Sequence, residues 1–532
     1  MPDQPLLPLP DATGSLVVDA ERGWSAAEVW DRADRLAHLA RAATVSTGDG
    51  PRRRVAIFAE NAAQAAIAHV GALRSGASVV AINSHLTAPE VAYQLEVGDV
   101  ALLIAGPSTA DRARVAADLV GRCEVRAWTD RDWDRWLASA PPGPPPDDVP
   151  IVPNLLFTSG TTGTPKATHL PPNVFPVRTS WAEFVAATLA NRFVGLGRHL
   201  VVAPLHHTGP LNAVRALAAG TPVGLLPRFD AEAMLQAVDR WQIASTTVVP
   251  THLARLVALS SDVRARHDVS SMRLIFLTGA ACPVDVKRAI IDWFGPVVLE
   301  AYGATEVGVT NSITSEDWLA HVGSVGRSVA PYAAVVVDEA GHELAAGTEG
   351  RLYFRDATGR GIIYESDPER TAAVHLEPGM FTLGEIGKVD GDGFVFITDR
   401  FSDMVVTGGV NVYPAEMEQA LMGHPAVADV AGIGLPHPDL GEQLVALIVP
   451  IDPTAPPSTD ELQAWCEERL SRFKCPRQIR IVDSVHRNPL GKLDKRGLRT
   501  MHSSSKGDPD GSPRRLPDVA RAQAPDEPPA PS

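Results

Sequence analysis

At 532 residues the chain is too long for one hydrophobic core, so two or more domains are expected. Its 45% hydrophobic and 21% charged residues are ordinary for a soluble globular protein, and a net charge of -15 disfavours wholesale binding of nucleic acid or anionic membrane. The four cysteines, Cys123, Cys282, Cys466 and Cys475, form no CxxC pair, and the opening MPDQPLLPLPD has neither a basic start nor a sustained apolar stretch. No run approaches the ~20 apolar residues of a membrane span, so a reduced, cytoplasmic protein is expected.

From Val55 the pattern is VAIFAE, NAAQAAIAHVGALRSG, SVVAIN, TAPEVAYQLEVGD and ALLIAG. Short apolar runs alternating with longer helical stretches predict βαβ units and a doubly wound parallel sheet. Thr87 and Glu90 have capping-box spacing before Val91 and Leu95. SAPPGPPPDDVP, from Ser139 to Pro150, reads as a linker into the strand IVPNLLFT. HLVVAPL, TPVGLLP, STTVVPT and MRLIFLTG then repeat the α/β alternation. After about Gly323 short alternating strands take over, and DGDG in GKVDGDGFVFITDR is a hairpin signal. A small terminal domain follows, with VADVAGIGLP and EQLVALIVPI as strands. Its helix STDELQAWCEERLSRF is capped by Ser458 with Glu461 and puts Leu462, Trp465, Cys466 and Leu470 on one face. The polar, proline-rich last stretch predicts disorder, and no repeat of solenoid period is present.

TSGTTGTPK, from Thr158 to Lys166, places hydroxyls, glycines and a lysine directly after a strand. Gly160 and Gly163 permit close backbone approach, so that N–H groups, hydroxyls and Lys166 could cradle a polyphosphate. It is not a Walker A loop, because Pro165 stands where that pattern needs glycine. Taken alone, the loop keeps a solvated Ser/Thr/Gly turn as its lesser alternative. It is followed in order by PLHHTG at 204 to 209, TGAACP at 278 to 283, YGATE at 302 to 306, LGEIG at 383 to 387, TDRFSDMVVTGGVNVYPAEME at 398 to 418 and NPLGKLDK at 488 to 495.

Together these motifs closely resemble the adenylate-forming superfamily of acyl-CoA synthetases, luciferases and peptide-synthetase adenylation domains, over about Val55 to Arg499. The resemblance implies an α/β fold: a large N-terminal domain, residues 1–398, of two doubly wound subdomains plus a small β-barrel, and a small mobile α+β domain, 399–500, before a disordered tail, 501–532. It implies that Thr158, Ser159, Gly160, Thr161, Thr162, Gly163 and Lys166 close over the ATP phosphates, with Thr161 also near the metal. By the same resemblance Tyr302, with Gly303, stacks on adenine, Thr305 meets the α-phosphate and Glu306 holds Mg²⁺, for which one carboxylate suffices. Gly279, Ala280 and Ala281 resemble the segment beside the adenine and acyl pocket.

Glu385 stands where the family has a ribose-binding aspartate, a difference in reach of ~1.5 Å. Ala167 replaces the usual glycine, which costs little if its φ is negative. Arg400 resembles the second ribose ligand and Asp399 the hinge. Lys492 resembles the catalytic lysine, whose ammonium reduces charge repulsion as the carboxylate attacks the α-phosphorus. Gly408 and Gly409 match a channel wall for pantetheine, and His207 matches the gate beside the acyl carboxylate. The amine-pairing aspartate of peptide-synthetase domains is missing between Val201 and Leu211, which disfavours an amino acid. The resemblance therefore implies ATP, Mg²⁺, CoA and a fatty, aryl or steroid-side-chain acid as partners, and leaves room for a homodimer. Two other readings are an adenylating enzyme with another acceptor, such as a carrier protein or an amine, or with an oxyanion such as nitrite, and a non-catalytic scaffold. The set Lys166, Glu306, Arg400 and Lys492 argues against the scaffold.

Overall fold

The computed structural model describes residues 9–44, 53–158, 166–172, 174–175, 177–364, 368–400, 403, 405–407, 410–412, 414–437, 440–470, 472–487 and 493–503. Two sheet layers carry the larger part. The first is six-stranded, in the order Glu124–Ala127, Val100–Ala105, Arg54–Phe58, Val79–Ile82, Leu155–Thr158, Lys166–His169, parallel but for the last strand. Its central strands, Val55 to Phe58, Val79–Ile82 and Val100–Ala105, are apolar and buried throughout, as strands covered on both faces require. Helices Ala26–Ala43, Ala63–Arg74, Ala88–Val97 and Ala110–Val120 alternate with them. The box at Ala88–Val97 forms as the spacing predicts: the Glu90 carboxylate accepts from the Thr87 backbone N–H at 2.8 Å and hydroxyl at 2.7 Å. Helices Ala26–Ala43 and Ala63–Arg74 approach so closely that a Cβ on Gly71 would stand 2.7 Å from the Ala33 carbonyl oxygen.

The second layer has 15 strands. Its parallel core runs Val298–Ala304, Leu274–Leu277, Ile243–Val248, Arg198–Val201, Val223–Leu225 and then Val17–Val18, which hairpins to Gly23–Trp24. On its other side an antiparallel set, Gly308–Thr314, Gly326–Ser328, Phe394–Arg400, Glu385–Val389 and Gly350–Asp356 among them, packs around Tyr332, Leu352, Phe354 and Phe381. The region expected as a small barrel is this antiparallel set, whose pairing also continues into the parallel sheet. DGDG makes the hairpin between Glu385–Val389 and Phe394–Arg400, with Asp390 Oδ1 accepting the Phe394 N–H at 2.9 Å. One apolar core joins the layers, including Trp24, Leu36, Leu73, Phe175, Leu217 and Leu225.

After residue 400 the chain builds a five-stranded sheet with apolar residues on both faces. Met417, Leu421, Leu444, Ile448, Leu462 and Cys466 form one cluster; Ile433, Val445, Leu447, Val485 and Leu498 form the other. Ser458 caps helix Thr459–Glu467 by accepting the Glu461 N–H, and Leu462 and Cys466 are buried with Trp465 and Leu470 packed beside them. Burying a leucine there contributes roughly 1.5–3 kcal/mol. Among the described residues no helix is long and apolar enough to cross a membrane.

Candidate active site

Among the described residues, three of the motifs picked out by sequence begin at or just past strand ends. In open α/β sheets the carboxyl ends of the strands border the ligand crevice, because the connecting loops there leave backbone groups free of the ladder. Arg198–Val201 leads into PLHHTG, Leu274–Leu277 into TGAACP, and Leu155–Thr158 into the Ser/Thr/Gly loop. Val298–Ala304 carries Tyr302, Gly303 and Ala304, and the turn that follows carries Thr305 and Glu306.

Pro204 lacks an N–H and ends the strand run; its carbonyl accepts the His207 N–H at 3.1 Å, which turns the chain toward helix Asn212–Ala218. The Thr208 hydroxyl lies 3.4 Å from the Thr305 hydroxyl, so the HHTG and YGATE segments meet. Gly279 has φ +99, a conformation that favours glycine, and it directs the TGAAC turn beside Val249, with Ala280 half-buried and Ala281 exposed. A Cβ on Gly303 would fall 1.9 Å from the Gly308 carbonyl oxygen. The glycine of YGATE is thus required by the close approach of its own hairpin. Tyr302 is half-buried, its ring 6.1 Å from that of Phe354, and its carbonyl accepts the Thr310 hydroxyl at 3.3 Å. Glu306 is half-buried in its turn, a hard oxygen donor beside Thr305.

Glu385 is buried and stands opposite Arg400 in the register of two antiparallel strands. The two candidate ribose ligands therefore occupy facing backbone positions. Asp399 pairs with Ile386, one residue before the strand ends. Thr158 and Lys166 pair across Leu155–Thr158 and Lys166–His169, and Ala167, opposite Phe157, is not among the residues with positive φ, so alanine is tolerated there. Ser159, Gly160, Thr161, Thr162, Gly163, Gly408, Gly409 and Lys492 lie outside the described residues.

Sequence reasoning passed over several features. His206 packs its ring 4.1 Å from that of His207, and neither ring nitrogen has a hydrogen-bond partner among the described residues. Burial, reinforced by His207, His85 and His69, holds His206 down at about 2, so its imidazole is neutral. The doubled histidine was the available signal. Lys287 on helix Val284–Phe294 makes a buried ion pair, 2.5 Å long, with Glu300, two residues before Tyr302. Asn61 bridges the two layers just behind PLHHTG, and nothing in FAENAA announces it.

The model of the AMP-binding enzyme family matches residues 10–361, and that of the AMP-binding enzyme C-terminal domain matches 416–492. The chain is 32% identical over 494 residues to the 3-[(3aS,4S,7aS)-7a-methyl-1,5-dioxo-octahydro-1H-inden-4-yl]propanoyl:CoA ligase of Rhodococcus jostii, covering 86% of this chain and 91% of the relative. It is 30% identical over 485 residues to the long-chain-fatty-acid–CoA ligase FadD13 of Mycobacterium tuberculosis, covering 89% and 92%. Its fold is similar to that of the amide bond synthetase McbA from Marinactinospora thermotolerans, with TM-score 0.76 and 28% identity over 91% of this chain and 96% of that one.

Proposed function

The chain belongs to the AMP-binding enzyme family, and on that premise we propose that it is a cytoplasmic, ATP-dependent acyl-CoA ligase for a carboxylic acid of fatty, aryl or steroid-side-chain type. The observation that carries the site is the meeting of Thr208 and Thr305 at 3.4 Å, which joins the candidate acyl gate to the candidate α-phosphate contact. Acid carboxylate and α-phosphorus must meet for adenylation, and such proximity supplies much of the rate.

In this reading Tyr302 carries the adenine, Glu385 and Arg400 the ribose, and Thr158 to Lys166 the β- and γ-phosphates. Glu306, alone or with Thr161, would hold Mg²⁺, which neutralises charge on the phosphate oxygens when bound; a half-exposed carboxylate in a turn fits that ion. The acid carboxylate, beside His207, attacks the α-phosphorus, the bond to the bridging oxygen breaks, and pyrophosphate leaves as Lys492 offsets the gathering negative charge. The domain after residue 398 then turns about Asp399 and brings Gly408 and Gly409 to line a passage for pantetheine. The thiol attacks the acyl carbon of the mixed anhydride, and AMP departs.

Incubation with ATP, Mg²⁺ and pooled fatty, aryl and steroidal acids, with and without CoA, followed by mass spectrometry, tests this. Acyl-AMP from one acid, converted to thioester when CoA is added, is the expected result. Adenylate that ignores CoA but reacts with an amine or carrier protein refutes the CoA step, and silence across the pool refutes the acid.

A further inference from the structure

We propose that Asn61 is a positioning residue for the His206–His207 turn, acting through His207 on the acid substrate; this deepens, and rests on, the ligase reading above. Asn61 belongs to the first layer, just before helix Ala63–Arg74, and is 6% exposed. Among the described residues, its side-chain hydrogen bonds all cross to the second layer. Its amide nitrogen donates to the carbonyls of Ala203 at 3.0 Å and Leu226 at 3.2 Å, and its amide oxygen accepts the Leu205 N–H at 3.0 Å. The partners fix the orientation of the amide, since the reverse would set oxygen against two carbonyls.

These contacts fall at one place. Ala203 and Leu205 flank Pro204, whose carbonyl takes the His207 N–H, and Leu226 directly follows the neighbouring strand Val223–Leu225. One side chain thereby ties two adjacent strand ends together at the point where the chain leaves the sheet for His206 and His207. Pro204 has no N–H to offer, so the neighbouring Ala203 carbonyl and Leu205 N–H carry the bonds to Asn61. The anchor is itself secured: Ala63 N–H donates to Asp19 Oδ2 at 3.0 Å, while Asp19 Oδ1 accepts from Glu21 at 3.0 Å and Arg22 at 3.1 Å. Beyond His207 the turn meets Thr305 through Thr208. The turn is thus held at both ends, and the end held by Asn61 sets where His207 stands relative to Thr305. Displacements of ~1 Å in such a constellation cost on the order of 100-fold in rate.

The test uses the full chain with ATP, Mg²⁺ and an acid that the wild type adenylates. Asn61→Ala, Asn61→Asp, His207→Ala and the double variant Asn61→Ala/His207→Ala are compared for KM of acid, KM of ATP and kcat of adenylate formation. Asn61→Ala is expected to lose roughly 10- to 100-fold in kcat/KM for the acid while KM for ATP moves by less than about threefold. The double variant is expected to be no worse than His207→Ala alone, because two residues acting through one interaction do not add. Fully additive losses, or equal effects on acid and ATP, overturn the proposal. Asn61→Asp, which keeps the shape but loses both donors, carries the same comparison if Asn61→Ala fails to fold. A wild type that makes no acyl-AMP from any acid overturns the ligase reading and this inference with it. A fully active His207→Ala overturns this inference alone, since Asn61 then has nothing to act through.

Discussion

Replacing Lys287 by Met isolates the buried Glu300. Lys287 is 1% and Glu300 7% exposed, and the Lys287 ammonium also lies 4.5 Å from the centre of the Trp318 ring. Burial outweighs mutual attraction for both partners, holding Lys287 below and Glu300 above their ordinary values. Such a pair adds little net stability, yet losing one partner typically costs about 3–5 kcal/mol because the other charge is stranded. In the variant Glu300 escapes that cost by taking a proton, which links the loss to pH. Burial already raises the Glu300 pKa above the unfolded value near 4.5, and removing Lys287, which pulls it down, raises it further, so the variant's native state holds a proton that the unfolded chain releases. Stability therefore falls with rising pH above ~4.5, by about 1.4 kcal/mol per unit, until the raised pKa is passed. Relative to the parent, Lys287→Met is expected to lose about 1 kcal/mol at a pH near 5 and about 3–5 kcal/mol near 8. Lys287→Met/Glu300→Gln should recover most of the deficit and show no such slope. Urea unfolding at several pH values reads both quantities. A single variant within about 0.5 kcal/mol of the parent, or one with a flat difference across pH, would refute the reasoning.

Three further outcomes are expected. Lys492→Ala should suppress adenylation far more than thioester formation from preformed acyl-adenylate, and equal losses in the two half-reactions would remove its assigned role. Glu385→Asp, which restores the aspartate that the sequence resemblance gives at this position, should leave KM for ATP within about threefold; a much larger rise in steady-state assays would mean that the longer side chain is needed. His69 and His199, both held at about 3 by burial, stay neutral in the fold while the unfolded chain takes up protons below ~6.5. Their contribution is intact above ~6.5 and declines toward 3, by about 2 kcal/mol each at pH 5, so His69→Leu should flatten the urea profile on the acid side.

Much of this was legible in the sequence because local chemistry decided it. Thr87 with Glu90, Ser458 with Glu461 and DGDG each specify a local geometry within a few residues, and the structure has all of them. The alternation beginning at Val55 gave the first sheet because parallel strands buried on both faces must be apolar. The earlier helix Ala26–Ala43 was also available, since Ser25 and Glu28 form a capping box. Strands Val17–Val18 and Gly23–Trp24 were not, because two-residue strands carry no period and are held by partners far along the chain. Asn61, Lys287 and Glu300 escaped for the same reason. A polar residue in an apolar run shows that a partner is needed, and only the tertiary register says which.

The pairing of Val17 with Val223 and Val18 with Gly224 has a consequence for how the protein is made. More than 200 residues separate those partners, and closing so long a loop must be met entropically before its hydrogen bonds form, which slows assembly. On the ribosome the amino-terminal hairpin therefore waits for the strand that receives it, with Asp19 beside it and the cap on helix Ala63–Arg74 incomplete meanwhile. The bond from Ala63 in the first layer to Asp19 thus depends on a strand of the second, which lies later in the chain.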